Sequence, residues 1–285
     1  MAALSEIAEQ LGKKDWNLSL NHCDEYIPIS PGIYNNIVNC NCSSANECHI
    51  SVIILTGQGL SGVLPRSIVK LPYLKTMCFE GNMFNGTVPA ELGNLVDLIY
   101  LNLNSNNLTG ELPKEFSNLI NLRELRLSSN NFNGKLPSFQ SCKQLRMLEL
   151  EASGFEGPIP SGISLLLNLT EIRITDLNGG ASEFPKLENM TALEKLMLRN
   201  CNISGTIPVY LANFPLRYMD LSFNRLEGNI PNFEGALHLQ NIIEAILNGE
   251  YLSSSWLHVP RAWRYLTRNL LNGSIPAWIT SRDSR

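Results

Sequence analysis

The chain has 285 residues and a formal net charge of −4, with a sequence pI near 5.7, so it lacks the basic excess of a nucleic-acid binder. No run approaches 18 consecutive apolar residues, the length a membrane-crossing helix requires, and the longest apolar stretch lies around 163–169. That length ordinarily splits into two compact domains, unless it is spent on repeats that extend a core without enlarging it.

From the N-terminus, Met1–Leu11 reads as a short acidic amphipathic helix and lacks the apolar centre of a signal peptide. Four of the seven cysteines, Cys23, Cys40, Cys42 and Cys48, crowd into residues 1–50, a capping region. A repeat stack exposes a strand edge at its end, and a small cap over that edge needs covalent staples. Cys40 and Cys42 are too close to pair with each other, so Cys23 joins one of them and Cys48 the other. His22 and His49 beside the outer cysteines raise a zinc site as the rival, but a CxC with this gap is not a usual zinc spacing, and no metal is expected.

Residues 51–240 carry the pattern LxxLxLxxNxLxGxIP. It is clearest from Leu98, Leu101 and Leu103 through Asn106, Leu108 and Gly110 to Leu112 and Pro113. The position that turns the chain falls at Gln58, Asn82, Asn106, Asn130, Ser153, Leu177, Cys201 and Asn224, in steps of 23 or 24. This period predicts an α/β repeat solenoid, a right-handed leucine-rich-repeat superhelix of about nine coils in one elongated domain. In each coil LxxLxL forms a short parallel strand on the concave face, with alternate side chains inward. The ladder asparagine satisfies backbone groups of neighbouring turns. Segments such as Ala90–Leu98 and Lys114–Leu122 make short 3₁₀ turns on the convex side.

The remaining cysteines read as structural. Cys201 stands in the ladder, where a thiol can replace the amide, and Cys142 lies on the convex side. Cys78 falls on the strand face, where it is either shielded or an argument against export. Asn-x-Ser/Thr sequons occur at Asn17, Asn41, Asn85, Asn107, Asn168, Asn189, Asn202 and Asn272. They are twice as frequent as the roughly four that chance gives, which favours a glycosylated extracellular protein.

Two places break the pattern. After Leu169, Asn178–Pro185 keeps only Phe184-Pro185 of the expected GxIP. Over 241–264 no GxIP follows, although a ladder residue is due near Asn248, and the pattern returns in 265–285 as a final repeat and truncated end. The segment 241–264 is either a gene-model artefact or an island loop anchored by Trp256 and Trp263.

No catalytic set appears. His22, His49, His238 and His258 lack a partner at nucleophile–base spacing, and phosphate-binding loops and protein-kinase motifs are absent, so neither enzyme activity nor a cofactor is expected. The strand face offers the best candidate site. One outward column runs Cys78, Asn102, Arg126, Glu149, Arg173, Met197, Asp220 and the next runs Glu80, Asn104, Ser128, Glu151, Thr175, Arg199, Ser222, on a face that reads as solvated. Arg126, Glu149 and Arg173 then form a ladder of ion pairs worth about 0–1 kcal/mol each. The functional alternative is a carboxylate- or sugar-acid-binding patch with Glu151 and Arg199 alongside and Tyr100 and Tyr218 flanking.

The GxIP version of the repeat resembles the plant-specific class found in receptor-like kinases and related extracellular proteins. More closely, Leu11-Gly-Lys-Lys-Asp-Trp16, Asn39-Cys-Asn-Cys-Ser43, Cys48-His49 and Gly57-Gln-Gly-Leu-Ser-Gly62 resemble plant leucine-rich-repeat receptor-like serine/threonine kinases whose repeats precede a malectin-like domain. The resemblance implies a non-catalytic recognition ectodomain on the extracellular face of the plasma membrane. Its partner would be a protein, a peptide or a cell-wall oligosaccharide, with a possible co-receptor, and the kinase, membrane helix and malectin-like domain would lie outside this chain. A free-standing secreted recognition or inhibitor protein, or a truncated decoy, is the alternative.

Overall fold

A computed structural model of the chain describes residues 2–16, 35–44, 47–233, 241–242 and 268–272. These fall into two compact units, Met1–Leu145 and Arg146–Arg285, where the repeat predicts one continuous domain. Each coil of a repeat array packs on its neighbours alone, so compactness is a local property of the chain.

The first unit opens with the helix Ala2–Gln10, which buries Leu4, Ile7 and Ala8, the one-face spacing of a helix. It packs on the 3₁₀ turn Arg66–Lys70, where the Gln10 side chain accepts bonds from the Ser67 N–H and Oγ–H at 3.3 and 2.9 Å. The indole of Trp16 donates to Asn36 Oδ1 at 2.9 Å and ties the helix to a hairpin of Asn35–Ser44 antiparallel to Glu47–Thr56. Cys42 and Cys48 face each other across that hairpin and are disulfide-bonded. Cys40 is disulfide-bonded too, while Asn17 and Cys23 lie outside the described residues. The hairpin's second strand then runs parallel to Thr76–Cys78, followed by Tyr100–Asn102 and Glu124–Arg126. Paired backbone thus covers the edge that the first coil would leave open.

Inward residues such as Met77, Phe79, Leu101, Leu103, Leu125 and Leu127 are completely buried. Turns begin after Pro65, Pro89 and Pro113, whose restricted φ suits the extended residue that caps each turn. The 3₁₀ turns occupy Arg66–Lys70, Ala90–Asn94 and Lys114–Asn118, so the expected turns form in the first part of each convex segment. A second parallel sheet, not read from the sequence, joins Ser61–Val63, Met83–Gly86, Asn107–Gly110 and Asn131–Phe132.

The second unit repeats the plan with parallel strands Met147–Leu150, Glu171–Thr175, Lys195–Arg199, Tyr218–Asp220 and Asn241–Ile242. Its second sheet joins Ser182–Glu183, Ile203–Thr206, Arg225–Gly228 and Leu270–Leu271. In the irregular coil the residues after Phe184-Pro185 form turns in place of a 3₁₀ helix, yet Leu187, Met190 and Leu193 still fill the core.

The ladder behaves as its chemistry requires. Asn130 Oδ1 accepts the Leu108 N–H at 3.1 Å, and its amide donates to the carbonyls of Leu103, Leu127 and Ser128. At the variant positions, the Cys201 thiol donates to the Ile174 and Arg199 carbonyls and the Ser153 hydroxyl to that of Leu150. The residue before each ladder position has a left-handed backbone, with φ from 46° at Ala152 to 68° at Gly81. The ladder neighbour of Asn224 is Asn269 and not a residue near Asn248, because Asn269 Oδ1 accepts the Leu226 N–H and its amide donates to the Leu221 carbonyl, both at 3.0 Å. Most of 241–264, with Trp256 and Trp263, lies outside the described residues.

Candidate ligand-binding face

In the first unit the register places Tyr100 beside Glu124 and Asn102 beside Arg126. Arg126 donates to Glu124 Oε2 at 3.0 Å and lies over the Tyr100 ring, 5.7 Å from its centroid. Asn102 donates to the Tyr100 hydroxyl at 3.2 Å and to Glu80 Oε2 at 2.8 Å, while its own oxygen accepts the Asn104 N–H. Burial raises the pKa of the Tyr100 hydroxyl, which stays neutral at physiological pH. Cys78 is shielded, packed in an apolar cluster with Ile37 and Ile54 against which Val52 and Tyr100 also lie. Of the two readings of that thiol, shielding is the one found.

In the second unit the register aligns Glu149 with Arg173 and Glu171 with Lys195. Arg173 forms ion pairs with Glu171, through Nε, and with Glu151 at 3.4 Å, and Lys195 reaches Glu171 at 3.2 Å. Burial opposes the Arg173 charge, but Glu171, Glu149 and Glu151 together outweigh it and raise the guanidinium pKa. Burial likewise raises the Glu151 carboxyl, with Arg173 pulling the other way. Arg199 sits apart from this group, over the Phe223 ring at 4.5 Å, and Tyr218 neighbours Lys195.

These contacts correct the solvated reading of the face. Asn102, Asn104, Ser128, Glu149, Thr175, Asp220 and Ser222 are buried, because strands about 4.8 Å apart leave little room between columns and short polar side chains fold back on the backbone. Asp220, for example, accepts the Ser222 N–H at 2.9 Å and its hydroxyl at 2.7 Å. The carboxylates Glu124 and Glu171 and the amine of Lys195 complete the charge pattern. They stand one outward position earlier in each strand than the columns first considered, so the pattern of the repeat already contained them. At the head of the strands in the first unit, a cleft of about 290 Å³ is lined by Lys75, Asp97, Ile99, Asn121, Arg123 and Gln144.

Among the sequons, Asn41, Asn85, Asn107, Asn168, Asn189 and Asn272 are exposed, and Asn85 and Asn107 lie on the second sheet, away from the strand face. Among the described residues, no group of three or more His, Cys, Asp or Glu is placed to hold a metal, and no helix is long and apolar enough to cross a membrane.

The Leucine Rich Repeat family profile matches residues 97–119, 121–142, 192–214 and 215–237. A probable LRR receptor-like serine/threonine-protein kinase of Arabidopsis thaliana is 38% identical over 107 residues, covering 37% of this chain and 8% of the relative. Another from the same plant is 51% identical over 59 residues, 20% of this chain and 6% of its own length. The chain therefore spans less than a tenth of the curated relatives it matches. The fold is similar to the LRR ectodomain of the Arabidopsis thaliana membrane receptor kinase GASSHO1/SCHENGEN3 in complex with CASPARIAN STRIP INTEGRITY FACTOR 2. That match has a TM-score of 0.70 and 27% identity, covering 86% of this chain and 33% of that one. It is similar also to the Arabidopsis HAESA ectodomain bound to an IDA peptide hormone, with a TM-score of 0.69 and 26% identity over 98% of this chain and 44% of that one. The chain thus carries leucine-rich repeats in the solenoid fold of plant receptor ectodomains and is homologous to plant LRR receptor-like kinases.

Proposed function

We propose that the chain is the recognition region of a plant receptor-like kinase on the outer side of the plasma membrane, and that it takes a peptide ligand or a co-receptor along its strand face. The observation that carries this reading is the face of each unit: coils of the first present Tyr100 and Arg126, and coils of the second Arg173, Arg199 and Tyr218, from parallel strands held in register, fixed side chains with the direction of a peptide. The ectodomains with this fold include proteins crystallised with peptide hormones. The cap residues from Leu11 to Trp16 and from Asn39 to Ser43 support placing the chain in the malectin-containing subgroup, with the paired Cys42 and Cys48 and the exposed sequons consistent with secretion. Oligosaccharide remains the runner-up ligand, and the mixed polar cleft lined by Lys75, Asp97, Asn121 and Arg123 is where it would fit.

The test is a peptide-display selection on the secreted, glycosylated chain. We expect enriched peptides whose capture falls when Tyr100→Ala or Arg126→Gln is introduced and is unchanged by Met83→Ala on the second sheet. Failure to enrich any peptide, or capture that responds only to the second-sheet variant, would overturn the reading.

A further inference from the structure

The arginines of the strand face differ in what holds them. Arg126 is paired with Glu124, and Arg173 with Glu151 and Glu171, so each has its charge met inside the fold. Arg199 and Arg268 are held differently. Both guanidinium groups lie over one ring, that of Phe223, at 4.5 and 5.0 Å from its centroid. They come from the coils on either side of Phe223, since Cys201, Asn224 and Asn269 are consecutive ladder positions. Both residues are exposed, and among the described residues neither makes an ion pair with a carboxylate. The nearby acids are committed elsewhere. Asp220 is buried and bonded to Ser222, and Asp176 takes bonds from Asn200 and Thr175.

Phe223 and Arg268 both occupy the pre-ladder position, with φ 61° and 56°, a left-handed conformation that bulky side chains avoid, while the same position holds the smaller Gly57, Gly81, Ser105, Ser129, Ala152, Asp176 and Asn200 elsewhere. A backbone cost of this kind persists where something else depends on the side chain. Here the ring fixes two guanidinium groups by cation–π contact, and stacking leaves the rim of N–H donors free for an acceptor. Two exposed cations held in place, neither in an ion pair among the described residues and with the neighbouring Asp220 buried and bonded to Ser222, form a site that favours negative charge.

We propose that Arg199 and Arg268, both anchored on Phe223, form a clamp for the carboxylates of an acidic peptide segment lying on the strand face of the second unit. This rests on the peptide-binding reading above and names the chemistry at one end of it. An extended segment presents every second side chain to one face, about 7 Å apart, and strands two coils apart lie about 10 Å apart, a difference that flexible Glu and Arg side chains span, so acidic residues in alternate positions suit guanidinium groups carried by the coils on either side of Phe223.

The test uses the full secreted chain in low-salt buffer, with hexaglutamate as probe and hexaglutamine as control, read by calorimetry. Hexaglutamate should bind and hexaglutamine should not. Arg199→Gln and Arg268→Gln should each weaken hexaglutamate by about tenfold, as loss of a charged hydrogen bond does, while Arg66→Gln, on a 3₁₀ turn of the first unit, changes it less than about twofold. Phe223→Asn, which tolerates the left-handed backbone, should leave the fold intact by circular dichroism and still weaken the probe. Asp220→Asn, which removes a neighbouring negative charge, should tighten it. The clamp is overturned if hexaglutamate does not bind, or if the Arg199→Gln, Arg268→Gln double variant binds it as the unaltered chain does. Display-selected peptides that bind the strand face without acidic residues would sink the clamp alone, whereas failure to select any peptide would sink the broader reading.

Discussion

The amide of Asn269 takes the ladder position next to Asn224, although Leu226, which donates to it, is 43 positions away. The same bond spans 22 positions from Leu60 to Asn82 and 21 from Ile203 to Asn224. The chain between Asn224 and Asn269 thus holds about 22 residues more than one coil needs. Strand residues Asn241 and Ile242 still pair with Tyr218 and Met219, so the excess falls after Ile242.

Deleting residues 243–264 should therefore join Ile242 to Tyr265 in the regular coil pitch and leave the ladder closed. The expected result is a melting temperature unchanged or raised, measured by differential scanning calorimetry. A fall of several degrees would show that the excess residues contribute to the core.

Asn130→Ala removes an acceptor for the Leu108 N–H and donors to the carbonyls of Leu103, Leu127 and Ser128 in a buried setting. Leaving buried backbone groups unpaired costs about 1–3 kcal/mol each at most, and relaxation of the coil recovers part of it, so a loss of about 2–4 kcal/mol is expected in urea unfolding. An effect below 0.5 kcal/mol would mean that the ladder amide is not what holds adjacent turns.

Asp220 occupies the coil position of Asn102, and both side-chain oxygens accept the backbone N–H two residues on. Burial raises the Asp220 carboxyl above its ordinary 3.8, with the Ser222 bonds and then Arg199 pulling the other way. The folded state therefore binds more protons than the unfolded one, and this group's contribution to stability falls as pH rises through and above 3.8. Asp220→Asn keeps the acceptor and removes the charge, so it should stabilise the protein at pH 7, with the gain vanishing below pH 3.8. Destabilisation at pH 7 would show that attraction to Arg199 exceeds the burial cost.

Much of this was legible in the residues because a repeat states its contacts many times over. The strand leucines, the ladder residues with the thiol at Cys201, the turns after Pro89 and Pro113 and the stapled cap all follow from spacing and bonding capacity. What was not legible depends on which coils are neighbours. The jump from Asn224 to Asn269 is invisible to a fixed count from the previous ladder residue. The pairing of Arg126 with Glu124 was missed because both stand on one strand, whereas attention to a single column compares only different strands. The burial of Asn102 and Asp220 reflects inter-strand spacing that polarity alone does not reveal. The anchoring of Arg199 and Arg268 on Phe223 required the left-handed turn and the closed ladder together.

The most direct test of recognition through the strand face is hydrogen–deuterium exchange on the secreted chain with and without a display-selected peptide. We expect slowed exchange within 100–104 and 124–128 of the first unit and 171–175, 195–199 and 218–222 of the second, with Asn107–Gly110 and the 3₁₀ turn Ala90–Asn94 unchanged. Protection confined to the second sheets or to the 3₁₀ turns, with the strand segments exchanging as in the free chain, would contradict the account.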